Sequence, residues 1–296
     1  MSTDAFRSGF VSLIGRPNVG KSTLLNAFIG RKVAITSEKP QTTRNAIRGV
    51  LTGDDYQIVF IDTPGLHKPK SLLGQRLNDI VRRTLREVDV VVFMLDATQE
   101  VGSGDAFVAR EVLASGTPAI CAVNKMDAAR NARLVPALSA AQELGEWKEI
   151  IPISARDGTK VGDVQAMLVE LLPEGPKYYP DDMPTDQPRD VLLAEIIREK
   201  ALQLTRQEVP HSIAVLTDEV IERDDGLIEI HAVVYVERDS QKGIVIGKGG
   251  QMLKQIGTRA REELEWLLGA KVYLDLRVKV AKDWSRDPRL LERLGY

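Results

Sequence analysis

The sequence predicts an α/β protein: a doubly wound domain with a mainly parallel sheet, followed by a smaller α+β domain. Three observations lead there. From residue 10 to 172, short Val/Ile-rich runs alternate five times with helical segments, and near-continuous apolar runs of this kind mark strands buried on both faces. The alternation stops at "PEGPKYYPDDMPTDQP", residues 173–188, whose five prolines and sparse apolar content read as an extended linker. Beyond it the order becomes helix, strand, strand, helix, helix, strand. The expected organisation is therefore a first domain over 1–172, a linker over 173–188 and a second domain over 189–296 with a C-terminal tail.

In the first domain "FVSLI" enters a glycine-rich loop and then the helical "KSTLLNAFIG". "YQIVFIDTPG" precedes a helix from Leu72 to Glu87, "DVVVFMLDAT" one from Asp105 to Ala114, "PAICAVNKMD" one from Val135 to Leu144, and "IIPISA" one from Val161 to Leu172. In such a sheet the ligand lies at the C-terminal ends of the strands, where the unusual residues of this chain cluster. In the second domain "VLLAEIIREKALQL" reads as an amphipathic helix, and "HSIAVLTDEVIER" and "LIEIHAVVYVER" as strands joined at "DDG". "IVI" enters the loop "GKGG", "QMLKQIGTRAREELEWLLGA" is helical, "KVYLDLRVKV" is a last alternating strand, and "WSRDPRLLERLGY" is a short closing helix.

Composition narrows the function classes. At 296 residues the chain can build two cores, and 43% hydrophobic with 28% charged residues is ordinary for a globular protein. A formal net charge of −2 excludes a uniformly basic nucleic-acid binder, so any such site must be a local patch. The single cysteine, Cys121, lies in the apolar "PAICAV", reads as a buried strand residue, and fits a reducing cytosol. The start "MSTDAFRSGF" has no basic segment leading into an apolar stretch, and no run approaches the ~18 apolar residues of a membrane span. A cytoplasmic location is expected.

The loop Gly15-Arg16-Pro17-Asn18-Val19-Gly20-Lys21-Ser22, continued by Thr23, fits the P-loop pattern, with a strand before it and a helix after it. Its backbone N–H groups and the helix N-terminus suit phosphates. Lys21 can reach the β and γ oxygens, and Ser22 can bind Mg²⁺. Asp62 and Gly65 of "DTPG" end a strand, as expected for a carboxylate that holds Mg²⁺ through water and a glycine N–H that meets the γ-phosphate. In "NKMD", Asp127 can accept both the ring N–H and the exocyclic amine of guanine, a donor pair that adenine lacks. Asn124 would brace the loop and contact guanine N7, the Lys125 stem would pack on the base, and Ser154-Ala155 would offer N–H groups to guanine O6. The order of these elements favours GTP over ATP.

These motifs resemble the translation-factor-like P-loop GTPases. The resemblance implies that "PQTTR" carries the Mg²⁺-binding threonine of the first switch, at Thr43 with Thr42 as second choice. Leu66 follows Gly65 where Ras-like enzymes carry a water-orienting glutamine. Either hydrolysis is slow or another group substitutes. In some GTPases with a similar loop an asparagine at the position of Asn18 binds K⁺ between the β and γ phosphates, which makes Lys21, Asn18 and Thr43 the expected catalytic groups. His67 reads as a surface residue of a switch loop.

The second glycine loop, Gly247-Lys248-Gly249-Gly250, lacks P-loop spacing and any accompanying carboxylate motif. It resembles the GxxG turn of a type II KH domain, which lets a single-stranded backbone approach while an apolar groove receives about four bases. Lys242, Lys248 and Lys254, with Arg238, Arg259 and Arg261, form a basic patch, and Ile244, Val245, Ile246 and Leu253 an expected apolar floor. GTPase followed by KH resembles the Era family of bacterial ribosome-assembly GTPases, and so do "PQTTRN", "DTPGLHKPK", "EGPKYYP", "AEIIREK", "VPHS" and "VIGKGG". The resemblance covers residues from about 8 to 296, and Leu66 is no departure from it. It implies GTP hydrolysis coupled to binding of 16S ribosomal RNA near its 3′ end during 30S subunit maturation. It further implies a monomer with peripheral association at the inner face of the cytoplasmic membrane. The competing reading is an RNA-binding module whose nucleotide site hydrolyses negligibly; GTPases of tRNA modification or large-subunit assembly are disfavoured by the KH end.

Overall fold

The computed structural model describes residues 5–39, 41–67, 69, 71–129, 131–205 and 209–296, with the side chains of Asn131 and His211 outside the description. Pro40 of "PQTTR" and Lys68 and Lys70 of "DTPGLHKPK" also lie outside the described residues. The chain forms two compact units. The first comprises 1–34, 43–70 and 74–186; the second comprises 35–42, 71–73 and 187–296.

The first unit runs β1 (Arg7–Gly15), α1 (Lys21–Ile29), β2 (Ile47–Thr52), β3 (Tyr56–Asp62), α2 (Leu72–Leu85), β4 (Val90–Asp96), α3 (Ser103–Ala114), β5 (Ala119–Asn124), α4 (Asn131–Leu144), β6 (Ile150–Pro152) and α5 (Val161–Leu171), the first two residues of α2 grouping with the second unit. The sheet order is β2-β3-β1-β4-β5-β6. All neighbours are parallel except β2, which pairs antiparallel with β3. All seven residues of β4, "VVVFMLD", are buried, because the strand sits mid-sheet and is covered on both faces. Two apolar clusters form the core, one containing Leu13, Phe28, Phe60 and Ile120, the other Ile14, Phe93, Val108 and Cys121.

Two features depart from the sequence expectation. The five-fold alternation omits β2, a sixth strand. In "IRGVLT" an exposed Arg48 and a glycine hide the strand signal, yet Gly49 is required, since a Cβ there would lie 2.6 Å from Leu25 Cδ1 on α1. The expected linker is also a docked strap over 173–186, grouped with the first unit. Buried Gln57 accepts from the N–H groups of Tyr178 (2.7 Å) and Tyr179 (3.0 Å) and donates to the Tyr179 carbonyl (2.9 Å). Val50 N–H donates to Pro184 O at 2.8 Å, and Arg48 pairs with Asp186 at 2.8 Å.

The second unit runs α6 (Arg189–Leu204), β7 (Ala214–Glu222), β8 (Ile228–Val236), α7 (Asp239–Ile246), α8 (Gln251–Leu268), β9 (Val272–Val280) and α9 (Pro288–Arg293). β8 is the centre of a three-stranded sheet, antiparallel to β7 and parallel to β9. Its core gathers Ile197, Ile230, Val234, Val245, Ile256 and Leu264. The tail closes on it through fully buried Trp284, whose Nε1–H donates to Ser212 O at 2.9 Å. α6 is not amphipathic as expected. Leu193, Ile196, Ile197 and Ala201 are buried, and so are the charged Arg198 and Glu199.

Candidate functional site

The P-loop connects β1 to α1. Its path needs left-handed backbone at Asn18 (φ 67°) and Gly20 (φ 103°), and a Cβ at Gly20 would fall 2.2 Å from Asn124 Nδ2. The first turn of α1 therefore opens on N–H groups with no side-chain cap, the arrangement that attracts anions. Lys21 is buried and donates to the carbonyls of Gly15 (3.3 Å) and Arg16 (2.9 Å). Burial lowers its pKa to about 8, with the negative charge of Asp62 opposing the shift.

Next to Lys21, three oxygens converge. Ser22 Oγ and Thr43 Oγ1 donate to Asp62 Oδ2 at 2.6 and 3.1 Å and lie 3.0 Å from each other. Asp62 Oδ1 is buried with no hydrogen-bond partner among the described residues. Burial pushes the Asp62 carboxyl up, against the pull of Lys21 and the two hydroxyls. One carboxylate and two hydroxyls are hard oxygen donors. With an orphaned carboxylate oxygen they fit Mg²⁺, which takes its remaining ligands from phosphate and water. Thr42 is turned elsewhere, its hydroxyl donating to Lys39 O at 2.6 Å.

Gly65 meets the P-loop so closely that a Cβ would lie 2.5 Å from Pro17 N. Leu66 is 1% exposed and packs into the second core cluster, while His67 is half-buried with Nδ1 2.9 Å from Gly65 O.

The guanine motif is braced from three sides. Asn124 donates from Nδ2 to Val19 O (2.8 Å) and accepts the Ala155 N–H at Oδ1 (2.9 Å). Lys125, left-handed at φ 67°, donates to Asn18 O (2.7 Å) and to Asp96 Oδ2 (2.6 Å). Although burial of Asp96 works against its charge, Lys125 and Thr98 hold its carboxyl below the ordinary range. Asp127 Oδ1 accepts from Ser154 Oγ at 2.7 Å. The N–H groups expected for guanine O6 are engaged inside the loop, Ser154 with Thr159 O (3.1 Å) and Ala155 with Asn124. Asp96 is absent from the expected set, although an acid closing a buried strand beside this motif is a readable signal.

In the second unit, α7 ends at Gly247 (φ 73°) and α8 begins after Gly250 (φ 78°), with Gly249 also left-handed at 59°. A Cβ at Gly247 would meet Met252 Cβ at 2.7 Å, whereas Gly249 and Gly250 open onto space. Lys248, Lys254, Arg238, Arg259 and Arg261 are exposed, Lys242 is half-buried, and none of the six forms an ion pair among the described residues. Ile244 is 45% exposed and Ile246 and Leu253 are partly buried. Val245, expected in an apolar floor, is instead fully buried in the core, because α7 turns it onto the sheet.

Comparison with known proteins gives a consistent picture. The family described as 50S ribosome-binding GTPase matches residues 10–125, and that described as KH domain matches 208–285. The chain is 54% identical to GTPase Era of Mycolicibacterium smegmatis over 98% of its own length and 99% of that protein's. The figures for GTPase Era of Mycobacterium avium are the same. Among solved structures, a variant of Aquifex aeolicus Era bound to GDP·AlF4⁻ superposes with a TM-score of 0.94 at 42% identity, covering 98% of this chain and 99% of that one. Era in complex with MgGDPNP and nucleotides 1506–1542 of 16S ribosomal RNA matches with the same score, identity and coverage.

Proposed function

The chain belongs to the Era family of GTPases, and from that premise we propose that its nucleotide state governs binding of single-stranded 16S ribosomal RNA near the 3′ end, in maturation of the 30S subunit. The observation that carries the reading is the convergence of Ser22, Thr43 and Asp62 beside Lys21 on a chain that also holds the Gly247–Gly250 turn.

In this reading Gly15, Asn18, Val19, Gly20, Lys21, Ser22 and Thr23 cradle the phosphates and Gly65 N–H meets the γ-phosphate. Ser22, Thr43 and Asp62 would hold Mg²⁺, and the ion would supply positive charge to the β and γ phosphates. Asn124, Lys125, Asp127, Ser154 and Ala155 form the guanine pocket, in which the braced Asn124 and Ala155 act by shaping the loop. Because Leu66 is buried and apolar, catalysis would rest on Lys21, Asn18 and Thr43, with Asn18 the residue to hold K⁺, which would stabilise charge between the β and γ phosphates. Lys242, Ile244, Ile246, Lys254 and the four residues from Gly247 to Gly250 receive the RNA. The reading includes a cytoplasmic monomer with peripheral contact at the inner membrane face; no helix among the described residues is long and apolar enough to cross a membrane.

The decisive test is binding of a labelled 16S 3′-end RNA, against a scrambled control, with GDP and with a non-hydrolysable GTP analogue. Tight, sequence-dependent binding favoured by the analogue and lost in Gly249→Asp is expected. Affinity blind to nucleotide overturns the coupling, since a ligand shifts an equilibrium only through differential affinity. Hydrolysis should fall by roughly 100-fold or more in Lys21→Ala. Equal rates in matched Na⁺ and K⁺ buffers would remove the role of K⁺.

A further inference from the structure

Asp96 closes β4, and the parallel register sets it beside Asn124, the last residue of β5. The Ala97 N–H donates to the Asn124 carbonyl at 2.9 Å, so the acid and the guanine motif leave the sheet tied together. The Asp96 side chain is 4% exposed, and its two oxygens have separate partners. Oδ1 accepts from the Thr98 N–H at 2.9 Å and from Thr98 Oγ1 at 2.6 Å, which closes a local turn. Oδ2 accepts from Gln99 Nε2 at 3.1 Å and from Lys125 Nζ at 2.6 Å, 29 residues further along the chain.

The turn uses one oxygen and needs no charge. Burying a carboxylate is costly unless it is paired, and a neutral asparagine would close the same turn at lower cost. The charge therefore serves Lys125. A lysine ammonium is a point charge with three donors on a flexible four-carbon stem, and because this side chain is 34% exposed, water competes for it. Asp96 Oδ2 on one side and the Asn18 carbonyl, at 2.7 Å, on the other hold the ammonium in one place.

Fixing the Asn18 carbonyl has a consequence inside the P-loop. In a planar trans peptide the C=O and N–H point opposite ways, so the carbonyl held by Lys125 sets the Val19 N–H on the other side. Asn124 does the same for the next peptide, holding Val19 O at 2.8 Å and so directing the Gly20 N–H. We propose that Asp96 is a positioning residue for guanine-nucleotide binding: by fixing the Lys125 ammonium it places both the stem that lies along the base and the Asn18–Val19 peptide that faces the phosphates. This rests on the assignment of Asn124, Lys125 and Asp127 to the guanine pocket and of the P-loop to the phosphates. One carboxylate outside both motifs then serves base and phosphate together.

The test is the Kd of fluorescent GDP and of the matching ADP, measured in EDTA so that no metal enters the readout. The full chain carries Asp96→Asn, Lys125→Met, both together, or Asp127→Ala, and chemical denaturation of each nucleotide-free protein runs alongside. Asp96→Asn keeps an oxygen for the Thr98 turn and removes the carboxylate from Lys125; Lys125→Met keeps the stem and removes the ammonium. GDP affinity is expected to fall roughly ten- to a hundredfold in Asp96→Asn, the scale of one charge-assisted hydrogen bond. The double should bind GDP within about twofold of Lys125→Met alone, because both changes break the same link. A merely structural Asp96 would add its loss to that of Lys125→Met. Additive losses, or a folded Asp96→Asn that binds GDP as tightly as the unaltered chain, overturn the positioning role. If Asp127→Ala keeps the full preference for GDP over ADP, the guanine-pocket reading fails instead. Should Asp96→Asn not fold, Asp96→Ser, which keeps a hydroxyl for the turn and falls short of Lys125, carries the same comparisons.

Discussion

Lys21 carries the clearest pH consequence. Its pKa of about 8 lies below the ordinary lysine value of 10.5, so between these values the unfolded chain binds more protons than the native one, and stability without nucleotide rises with pH through that window. Nucleotide affinity moves the other way. Phosphates favour the ammonium, so the Kd for GDP should rise above about pH 8, approaching roughly tenfold per pH unit, as titration with a fluorescent nucleotide between about pH 7 and 9.5 would read. Gly20 makes a second prediction. Because a Cβ there strikes Asn124 Nδ2 and the backbone is left-handed, Gly20→Ala should cost about 1–3 kcal/mol in chemical denaturation and weaken guanine nucleotides by displacing the Asn124 brace. At this scale the sequence is most readable where motif and strand end coincide, as at Ser22, Asp62 and Asn124. It is least readable at Arg198 and Glu199. Charged side chains in a helix ordinarily face water, and only the fold reveals that these two are buried against backbone groups distant in sequence.

Among the elements, the alternation of Val/Ile runs with helices discloses the parallel strands because burial on both faces leaves a continuous apolar run. β2 lies at the sheet edge, where one exposed arginine and a glycine suffice to mask it. The 173–186 strap is hidden for a different reason: prolines remove backbone donors and break periodicity, and its anchor is the side chain of Gln57, far earlier in the chain. Gln57→Ala should therefore leave two strap N–H groups unpaired, cost about 1–3 kcal/mol, and expose residues 173–186 to limited proteolysis under native conditions. The Gly247–Gly250 turn gives an independent expectation. Lys248 is exposed and without an ion pair among the described residues, so Lys248→Ala should weaken RNA binding with little change in sequence preference. It should also reduce the slope of log K against log salt by about 0.7.

For the whole molecule, the two units have cores that share no residue, one pair of clusters serving the first and one cluster the second. Separate cores predict more than one transition in calorimetry, with GDP and Mg²⁺ raising the transition of the first unit; one symmetrical transition would contradict this. Yet sequence order and structural membership disagree at residues 35–42 and 71–73, which precede the strap in the chain but group with the second unit. A chain cut after residue 186 would retain every nucleotide motif and lose Glu199 and Arg198, the residues that hold Thr36 and Thr42. Such a fragment would keep residues 35–42 and 71–73 but lose the rest of the unit with which they group. For this chain, a cut at the strap divides a structural unit as well as separating two.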